Sequence, residues 1–417
     1  MSPKPAVRFL DRRTPPHIVT LVLLAGLSAL SLNVFLPSLP NMTAYFQTDY
    51  RLMQLSVALY LAMNAVLQIV IGPISDRYGR RPVILWSAAA FLLMTLGCIL
   101  APTAEIFLAF RMAQAVIVAG MVLSRAVVRD MVPQDEAASM IGYVTMGMSL
   151  VPMVGPTIGG FLDEIFGWQA NFAMLLLVGA LVLALVWADL GETARPSQIS
   201  LLAQFREYPE LFASRRFWGY ALSAAFSAGV FFAYLGGAPF VGSEVFGLGP
   251  AILGLYFGIA ALGYMAGNFL SGRYSVRFGI NRMMLTGSLA VTGGLLVSLM
   301  LFLLGATHPL AFFGLMSTVG LGNGMVLPNA TAGLLSVRPH LAGTASGLGG
   351  TIMIGGGAGL SALAGALLGP GSGVYPLLAI MLASSVSAIA ATGYVLHVNR
   401  IAGELGELEE PEPHPGA

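Results

Sequence analysis

Long apolar stretches recur along the chain, separated by short segments that carry most of its charge. Each is about 20 residues long, the length at which an α-helix crosses the roughly 30 Å hydrocarbon core of a bilayer. The pattern therefore predicts an all-α integral membrane protein with twelve transmembrane helices, numbered below as spans 1 to 12. Their predicted positions are 18–38, 52–74, 82–101, 104–127, 137–162, 168–190, 217–239, 250–272, 282–304, 308–329, 342–368 and 374–397.

The composition agrees with placement in a membrane. Hydrophobic residues make up 57% of the chain and charged residues only 9%, whereas soluble proteins carry about 25% charged residues. The net charge of +1 gives no indication of nucleic acid as a partner. Cys98 is the single cysteine, which excludes an intrachain disulfide and argues against a zinc site. The sequence contains no nucleotide-binding loop, no paired His/Glu zinc motif and no glycine-framed serine, so neither an enzyme nor a cofactor is expected.

Basic residues concentrate on one side of the predicted bundle. All but two of the 20 lysines and arginines fall at the termini or in every second loop; Arg51 falls on the other side and Arg111 within span 4. Because positively charged loops stay in the cytoplasm, both termini are predicted to be cytoplasmic. The predicted parts are a cytoplasmic N-terminal segment at 1–17, a six-helix half at 18–190, a cytoplasmic linker at 191–216, a second six-helix half at 217–397 and a disordered acidic tail at 398–417.

A short sequence repeat relates the two halves. The stretch "GPISDRYGRR" from Gly72 aligns without gaps with "GRYSVRFGIN" from Gly272, at an offset of 200 residues. The first stretch joins spans 2 and 3 and the second joins spans 8 and 9, which are equivalent points of two six-helix halves. The repeat therefore predicts two pseudo-symmetric halves.

Three motifs give the chain a family resemblance. "GPISDRYGRR" resembles the loop 2–3 signature of the major facilitator superfamily, "FRMAQAVIVAG" resembles its fourth-helix motif with a buried arginine, here Arg111, and "VPMVGPTIGG" resembles its antiporter motif. "FLPSLPNMTAYF" and "SRAVVRDM" are similar to the bicyclomycin- and chloramphenicol-resistance branch of drug:proton antiporters. Ala115 and Val151 replace usual glycines of these motifs, and Asn33 replaces the aspartate usual in span 1 of this branch.

The signature between spans 2 and 3 predicts a gate. Gly72 and Gly79 permit close helix approach and a tight turn, and Asp76 at the end of span 2 is expected to face the positive N-terminus of span 11. The resemblance implies that this aspartate latches the outward-open state. The arginines set topology and can bind anionic lipid or nearby carboxylates; these are Arg77, Arg80 and Arg81. A purely topogenic basic loop is the alternative.

Span 5 carries a second predicted gating element. Pro156 is expected to bend the helix, and the glycines Gly147, Gly155, Gly159 and Gly160 are spaced for close packing. One hypothesis is a bent, dry helix that suppresses leak between the halves, and the other is ordinary helix packing. Span 11, its pseudo-equivalent, is also glycine-rich.

Polar residues inside the spans are the candidate substrate site, because each needs a partner in hydrocarbon. Arg111 and Asn33 lie at similar depth, and Asn33 is expected to supply a neutral acceptor to the guanidinium. Such a site is net positive and favours neutral or anionic substrates, and it lacks the usual span 1 acid, so proton coupling needs another residue or is weak. Helix–helix bonding is the alternative for each position. The predicted substrate-binding residues are Asn33, Tyr60, Asn64, Arg111, Gln114, Tyr234 and Asn329.

The sequence thus predicts a monomeric secondary transporter that exports small amphipathic or neutral antimicrobial compounds by alternating access. Protons are the expected coupling ion, membrane lipid is the expected surrounding, and the resemblance implies a bacterial inner (plasma) membrane. A metabolite exporter, an inward permease and a weakly coupled facilitator of the same fold are alternatives. A receptor or structural protein is a third class, but the sequence shows no sensing or signalling domain.

Overall fold

The computed structural model describes residues 7–132, 140, 144, 151, 154–194, 208–338 and 341–409, and of 342, 343 and 402–409 only the backbone. These residues form helices and short connections, without a strand. Eleven of the described helices are long and apolar enough to cross a membrane, and span 5 is described at 154–166. The other spans are Ile18–Tyr45, Tyr50–Tyr78, Arg80–Leu100, Ala104–Met131, Gln169–Asp189, Arg215–Val245, Pro250–Phe278, Ile280–Leu303, Leu310–Val337, Ala342–Leu367 and Tyr375–Glu409.

Two predicted boundaries differ in an informative way. Span 2 continues helically through most of the signature to Tyr78, and the connection to span 3 is Gly79 alone. Span 8 ends in the same manner at Phe278, followed by Gly279. Both glycines have positive φ, 95° and 83°, with ψ of 151° and 150°. Side chains are essentially excluded from this region of backbone space, so the repeat seen in the sequence is also a repeat of backbone conformation.

The C-terminal end also differs from expectation. The last helix continues to Glu409, beyond the predicted end of span 12 at residue 397. The described part of the tail is therefore helical where the sequence predicts disorder. Glutamate, leucine and alanine in this stretch are good helix formers, which the proline and charge content of the whole tail concealed.

The ends of the helices define two faces of the bundle. The terminal face carries the start of span 1 at Ile18 and the connection at Gly79; the opposite face carries the ends of spans 1 and 3, at Tyr45 and Leu100. Within the bundle, span 2 packs along span 11, which joins the N-terminal half to the C-terminal half. Span 5 lies against span 8 in the same way, because Thr157 Oγ1 donates to the Gly254 carbonyl at 3.0 Å.

The two halves are bonded to each other near the opposite face. Tyr50 Oη donates to the Gly236 carbonyl at 2.8 Å, and Gln54 Nε2 donates to the Ser361 carbonyl at 2.6 Å. The backbone N–H of Ala251 donates to Glu164 Oε2 at 3.2 Å. Spans 2 and 5 of one half thus bond to spans 7, 8 and 11 of the other, so the structure is a conformation closed at the opposite face.

Candidate functional site

Arg111 lies at the centre of the N-terminal half and is fully buried. Its Nη2 donates to the Ser31 carbonyl at 2.7 Å, and its Nη1 donates to Ser31 Oγ at 3.1 Å and to Gln114 Oε1. The guanidinium carbon lies 3.9 Å from the ring centroid of Tyr60 and 4.4 Å from that of Phe35. Neutral acceptors and two ring faces therefore hold this charge, by hydrogen bonds and cation–π contact.

The same cluster ties four spans together. Gln114 Nε2 donates to Thr95 Oγ1 in span 3 at 2.7 Å, and Tyr60 Oη in span 2 donates to Ser31 Oγ at 3.3 Å. Salt bridges among the described residues are made by Arg80 and Arg338, not by Arg111. The predicted grouping of Arg111 with Tyr60 and Gln114 is found in the structure, but as packing inside one half.

Asn33 is not the partner of Arg111. Its Nδ2 donates to the Ala29 carbonyl at 2.7 Å, and its buried Oδ1 has no hydrogen-bond partner. The residue lies beside Gly155 of span 5. Ser31 takes the predicted role, because at 3.6 residues per turn two positions that are two residues apart point to nearly opposite sides of a helix. The predicted direction of Asn33 was therefore wrong.

The remaining predicted substrate residues are spread over both halves. Asn64 accepts from Gln68 Nε2 at 2.8 Å along span 2. Asn329 donates to Ser271 Oγ at 2.8 Å, which bonds span 10 to span 8. Tyr234 is fully buried among phenylalanine rings, with its ring centroid 5.1 Å from that of Phe257, and its hydroxyl has no partner. In this conformation the structure does not bring these residues together.

On the terminal face carboxylates hold Arg80, backbone carbonyls hold Arg81, and the Arg77 guanidinium lies over the Tyr78 ring. Arg80 pairs with Asp76 at 2.5 Å and, through Nε, with Asp130 at 3.1 Å. Arg81 Nε donates to the Leu190 carbonyl at 2.8 Å. Among the described contacts Asp76 therefore pairs with Arg80 in its own segment. At Gly72 an added Cβ would meet no atom within 4 Å, so no close helix approach occurs there.

Glu192 completes the signature and was missed by the sequence reasoning. Its carboxylate accepts from the backbone N–H of Arg80 at 2.8 Å and of Arg81 at 3.2 Å, which caps the N-terminus of span 3. A negative group is stabilised there by the free N–H groups and the helix dipole. A glutamate directly after span 6 is the one signal in the sequence that could have indicated this contact.

Gly79→Ala is expected to lower thermal stability more than the matched change Gly279→Ala. Both glycines have the same strained backbone, which costs about 1–3 kcal/mol for a residue with a side chain. Only at Gly79 would the new Cβ overlap the Glu192 carboxylate; at Gly279 it would meet nothing within 4 Å. The two melting temperatures in detergent measure the difference. Equal decreases in melting temperature would show that the Glu192 side chain moves aside without cost.

The antiporter-motif glycines of span 5 have different neighbours. At Gly160 an added Cβ would overlap the backbone of Pro250 in span 8, in the other half. At Gly159 it would overlap the Val34 carbonyl in span 1, in the same half, whereas at Gly155 its first contact is at an ordinary 3.4 Å. A Cβ on Gly254 would in turn overlap the Pro156 carbonyl of span 5. Gly147 lies outside the described residues.

The multi-pass helical bundle, with the same backbone turn repeated at Gly79 and Gly279, is the architecture of a membrane transporter. The family model of the Major Facilitator Superfamily matches residues 21–362, and the chain belongs to this family.

Known relatives agree with this assignment. The chain is 32% identical to the MFS-type transporter YdgK of Bacillus subtilis over 380 residues, 87% of this chain and 91% of the relative. It is 30% identical to a chloramphenicol resistance protein of Pseudomonas aeruginosa over 76% of each chain. It is 27% identical to multidrug resistance protein D of Escherichia coli over 88% of each. These names match the drug:proton antiporter branch that the motifs indicated.

Solved structures show the same fold at low identity. A peptide transporter POT in complex with alafosfalin has a TM-score of 0.75 at 15% identity, covering 93% of this chain and 95% of its own. A bacterial homolog of the lysosomal transporter Spinster, inward-facing and occupied, has a TM-score of 0.70 at 20% identity, covering 92% and 96%.

Proposed function

We propose that this protein exports small amphipathic or neutral antimicrobial compounds by proton-coupled antiport and alternating access. The observation that carries the proposal is the direct backbone packing of the antiporter-motif helix, span 5, on span 8. Two halves in contact through glycine and carbonyl groups can separate as rigid bodies around a central site. Resistance proteins among the relatives support an antimicrobial substrate. By the positive-inside rule the terminal face is cytoplasmic, in the inner membrane.

The test is a drug-susceptibility panel on cells that express the chain, with everted vesicles to measure substrate flux. Expression should raise the inhibitory concentration of at least one amphipathic compound, and an imposed pH gradient should drive its accumulation in the vesicles. Flux in the direction opposite to proton antiport would instead identify an inward permease. Flux that does not depend on the pH gradient would identify a facilitator.

Gating is proposed to involve both faces. Opening toward the outside must break the bonds of Tyr50 and Gln54 to the C-terminal half. Closure of the terminal face would bring Asp76 toward the N-terminus of span 11, where the helix dipole favours a carboxylate. In the closed-outside conformation Asp76 is held by Arg80 instead.

Asn33 stands where this branch usually has an aspartate, so proton coupling needs a different carboxylate. Asp163 is the proposed group. It is 5% exposed, near the opposite face, and accepts from Asn41 Nδ2 at 2.9 Å. Ser38 and Glu164 are the other polar groups nearby. Burial among neutral partners favours the protonated form of a carboxylate. Asp163 also lies on the helix that packs against span 8.

Asp163→Asn is expected to make export independent of the pH gradient while leaving the fold intact, because the amide keeps one acceptor for Asn41 and cannot release a proton. Everted-vesicle flux with and without a gradient measures this. Glu164→Gln is the matched control: Glu164 is exposed, and its bond to the backbone N–H of Ala251 uses an acceptor oxygen that glutamine retains. If Asp163→Asn remains gradient-dependent, coupling resides elsewhere.

A further inference from the structure

The segment 7–17, which precedes span 1, is attached to the end of span 6 by the carboxylate of Asp189. Asp189 is fully buried. Its carboxylate accepts from the backbone N–H groups of Leu10 at 2.7 Å and His17 at 2.8 Å. It also accepts from Thr20 Oγ1 in span 1 at 2.6 Å. The segment 7–17 therefore has a fixed position on the terminal face, beside the ends of spans 1 and 6.

Two arginines from different parts of the chain contact Trp187, two residues before the end of span 6. The Arg12 guanidinium carbon lies 5.1 Å from the centroid of the Trp187 ring, within cation–π range. Arg81 Nη2 donates to the Trp187 carbonyl at 3.2 Å. Neither arginine belongs to a salt bridge among the described residues, and the Glu192 carboxylate beside Arg81 accepts from backbone N–H groups. Two positive charges are thus held at one place on the terminal face.

An apolar groove of about 630 Å³ runs from this place between spans 3 and 6. Its span 3 side extends from Arg81 to Leu92, eleven residues or about 17 Å at 1.5 Å per residue. That length is close to half of the roughly 30 Å hydrocarbon core of a bilayer. Trp86 and Trp187 line the groove and are 77% and 56% exposed on the outside of the bundle. The other lining residues are apolar: Pro82, Leu85, Ala89, Ala180, Leu183 and Ala184. The groove therefore matches an acyl chain of a single leaflet.

The surroundings of the groove are those of the headgroup level of a bilayer. The exposed side chains of the segment 7–17 include apolar and basic ones: Val7, Phe9 and Leu10, and Arg8, Arg12 and Arg13. Such a combination is favourable where hydrocarbon and anionic headgroups are both within reach. Tryptophan is likewise enriched at the interface between membrane and water. The positive end of the groove thus lies where the phosphate of a lipid would be.

We propose that an anionic phospholipid binds here, with an acyl chain in the groove between spans 3 and 6 and its phosphate at Arg12 and Arg81. A guanidinium matches the geometry of a phosphate group, whereas the cationic headgroup of a zwitterionic lipid is repelled by these arginines. The sequence associates lipid with the signature arginines in general; the structure selects Arg81 and adds Arg12. The site lies on the outside of one half, so it does not depend on what the protein transports.

The test is the quenching of tryptophan fluorescence by lipids with brominated acyl chains. The purified full-length protein is reconstituted in phosphatidylcholine vesicles that contain a small fraction of brominated phosphatidylglycerol or brominated phosphatidylcholine. The phosphatidylglycerol should quench at an about tenfold lower mole fraction, the effect of one charge-assisted hydrogen bond. Replacing both Trp86 and Trp187 by phenylalanine should remove this difference, because Trp168 packs on Phe172 inside the N-terminal half and Trp218 lies in the other half.

Variants of the two arginines test the headgroup contact. Arg12→Gln and Arg81→Gln should each lower the preference for phosphatidylglycerol to about threefold or less, and Arg81→Lys should retain part of it. Arg13→Gln is the matched control, because it removes the same charge from the next residue of the segment and should leave the preference unchanged.

Variants of the groove test the acyl-chain contact. Ala184→Phe places a ring in the groove and should weaken quenching by the phosphatidylglycerol to the level of the phosphatidylcholine. Leu181→Phe is the control on the same span, because Leu181 is exposed and outside the groove lining; it should quench like the parent.

Equal quenching of the wild-type protein by the two lipids would indicate ordinary surrounding lipid only and would overturn the inference. An unchanged preference in both glutamine variants would overturn it too. Millimolar inorganic phosphate should not abolish the preference; if it does, the arginines bind a free anion and the lipid assignment is wrong. Melting temperature verifies the fold of each variant, and Arg12→Gln with Ala184→Phe decides the matter if Arg81→Gln does not fold.

Discussion

Gly160→Ala is expected to reduce transport by about tenfold or more by preventing closure of the opposite face. The added Cβ would overlap the carbonyl group of Pro250 and press on Ala251, both in the backbone of span 8. A Cβ atom has no rotamer with which to avoid a backbone, so the two halves must move apart. Overpacking of this kind costs about 1–3 kcal/mol, which corresponds to a roughly 5- to 150-fold loss of the closed conformation.

Two neighbouring glycines provide matched controls. In Gly159→Ala the Cβ overlaps the Val34 carbonyl of the same half, so the variant should lose thermal stability in every conformation. In Gly155→Ala the first contact is at 3.4 Å, and the variant should behave like the parent. Labelling of a cysteine introduced at a position that is buried between the halves near the opposite face measures opening of that face, on a background in which Cys98 is buried. A Gly160→Ala protein that transports at the parental rate, with unchanged labelling, would show that the contact between spans 5 and 8 tolerates a methyl group.

The number, order and approximate ends of the spans were predictable, because about 20 apolar residues are a strong signal in a chain with so little charge. The repeat was predictable as well: Gly79 and Gly279 need the same backbone conformation, and glycine is the residue that permits it. Both predictions depend on local properties: the hydrophobicity of each span and the backbone conformation of each glycine.

The contact partners of individual residues were not predictable in the same way. Hydrophobicity and depth place Arg111, Ser31 and Asn33 at one level, but the side on which each points depends on helix rotation. Contacts between distant segments leave still less trace: Glu192 caps a helix 112 residues earlier in the chain, and Gln54 bonds across 307 residues. The motif in span 5 likewise conceals that Gly159 packs within one half and Gly160 between the two.

Arg111→Ala is expected to abolish transport, and the structure changes the expected reason. The sequence alone predicts loss of a substrate contact. In the structure the guanidinium bonds to Ser31 and Gln114 and lies between the rings of Tyr60 and Phe35, all inside the N-terminal half. Its removal leaves two acceptors without a donor and a cavity between spans 1, 2 and 4. Losses of this type cost about 1–3 kcal/mol for each unsatisfied group, in addition to the cavity.

Arg111→Lys separates the two explanations, because lysine keeps the charge but cannot bond Ser31 and Gln114 in the planar geometry of a guanidinium. If Arg111 is a substrate cation, the lysine variant should retain ligand binding and a parental melting temperature. If it holds the spans together, both Arg111→Ala and Arg111→Lys should melt several degrees below the parent, with transport lost in proportion. The full burial of Arg111 and its bonds to Ser31 and Gln114 favour the second result. A stable Arg111→Ala protein that has lost only ligand binding would restore Arg111 to the substrate site.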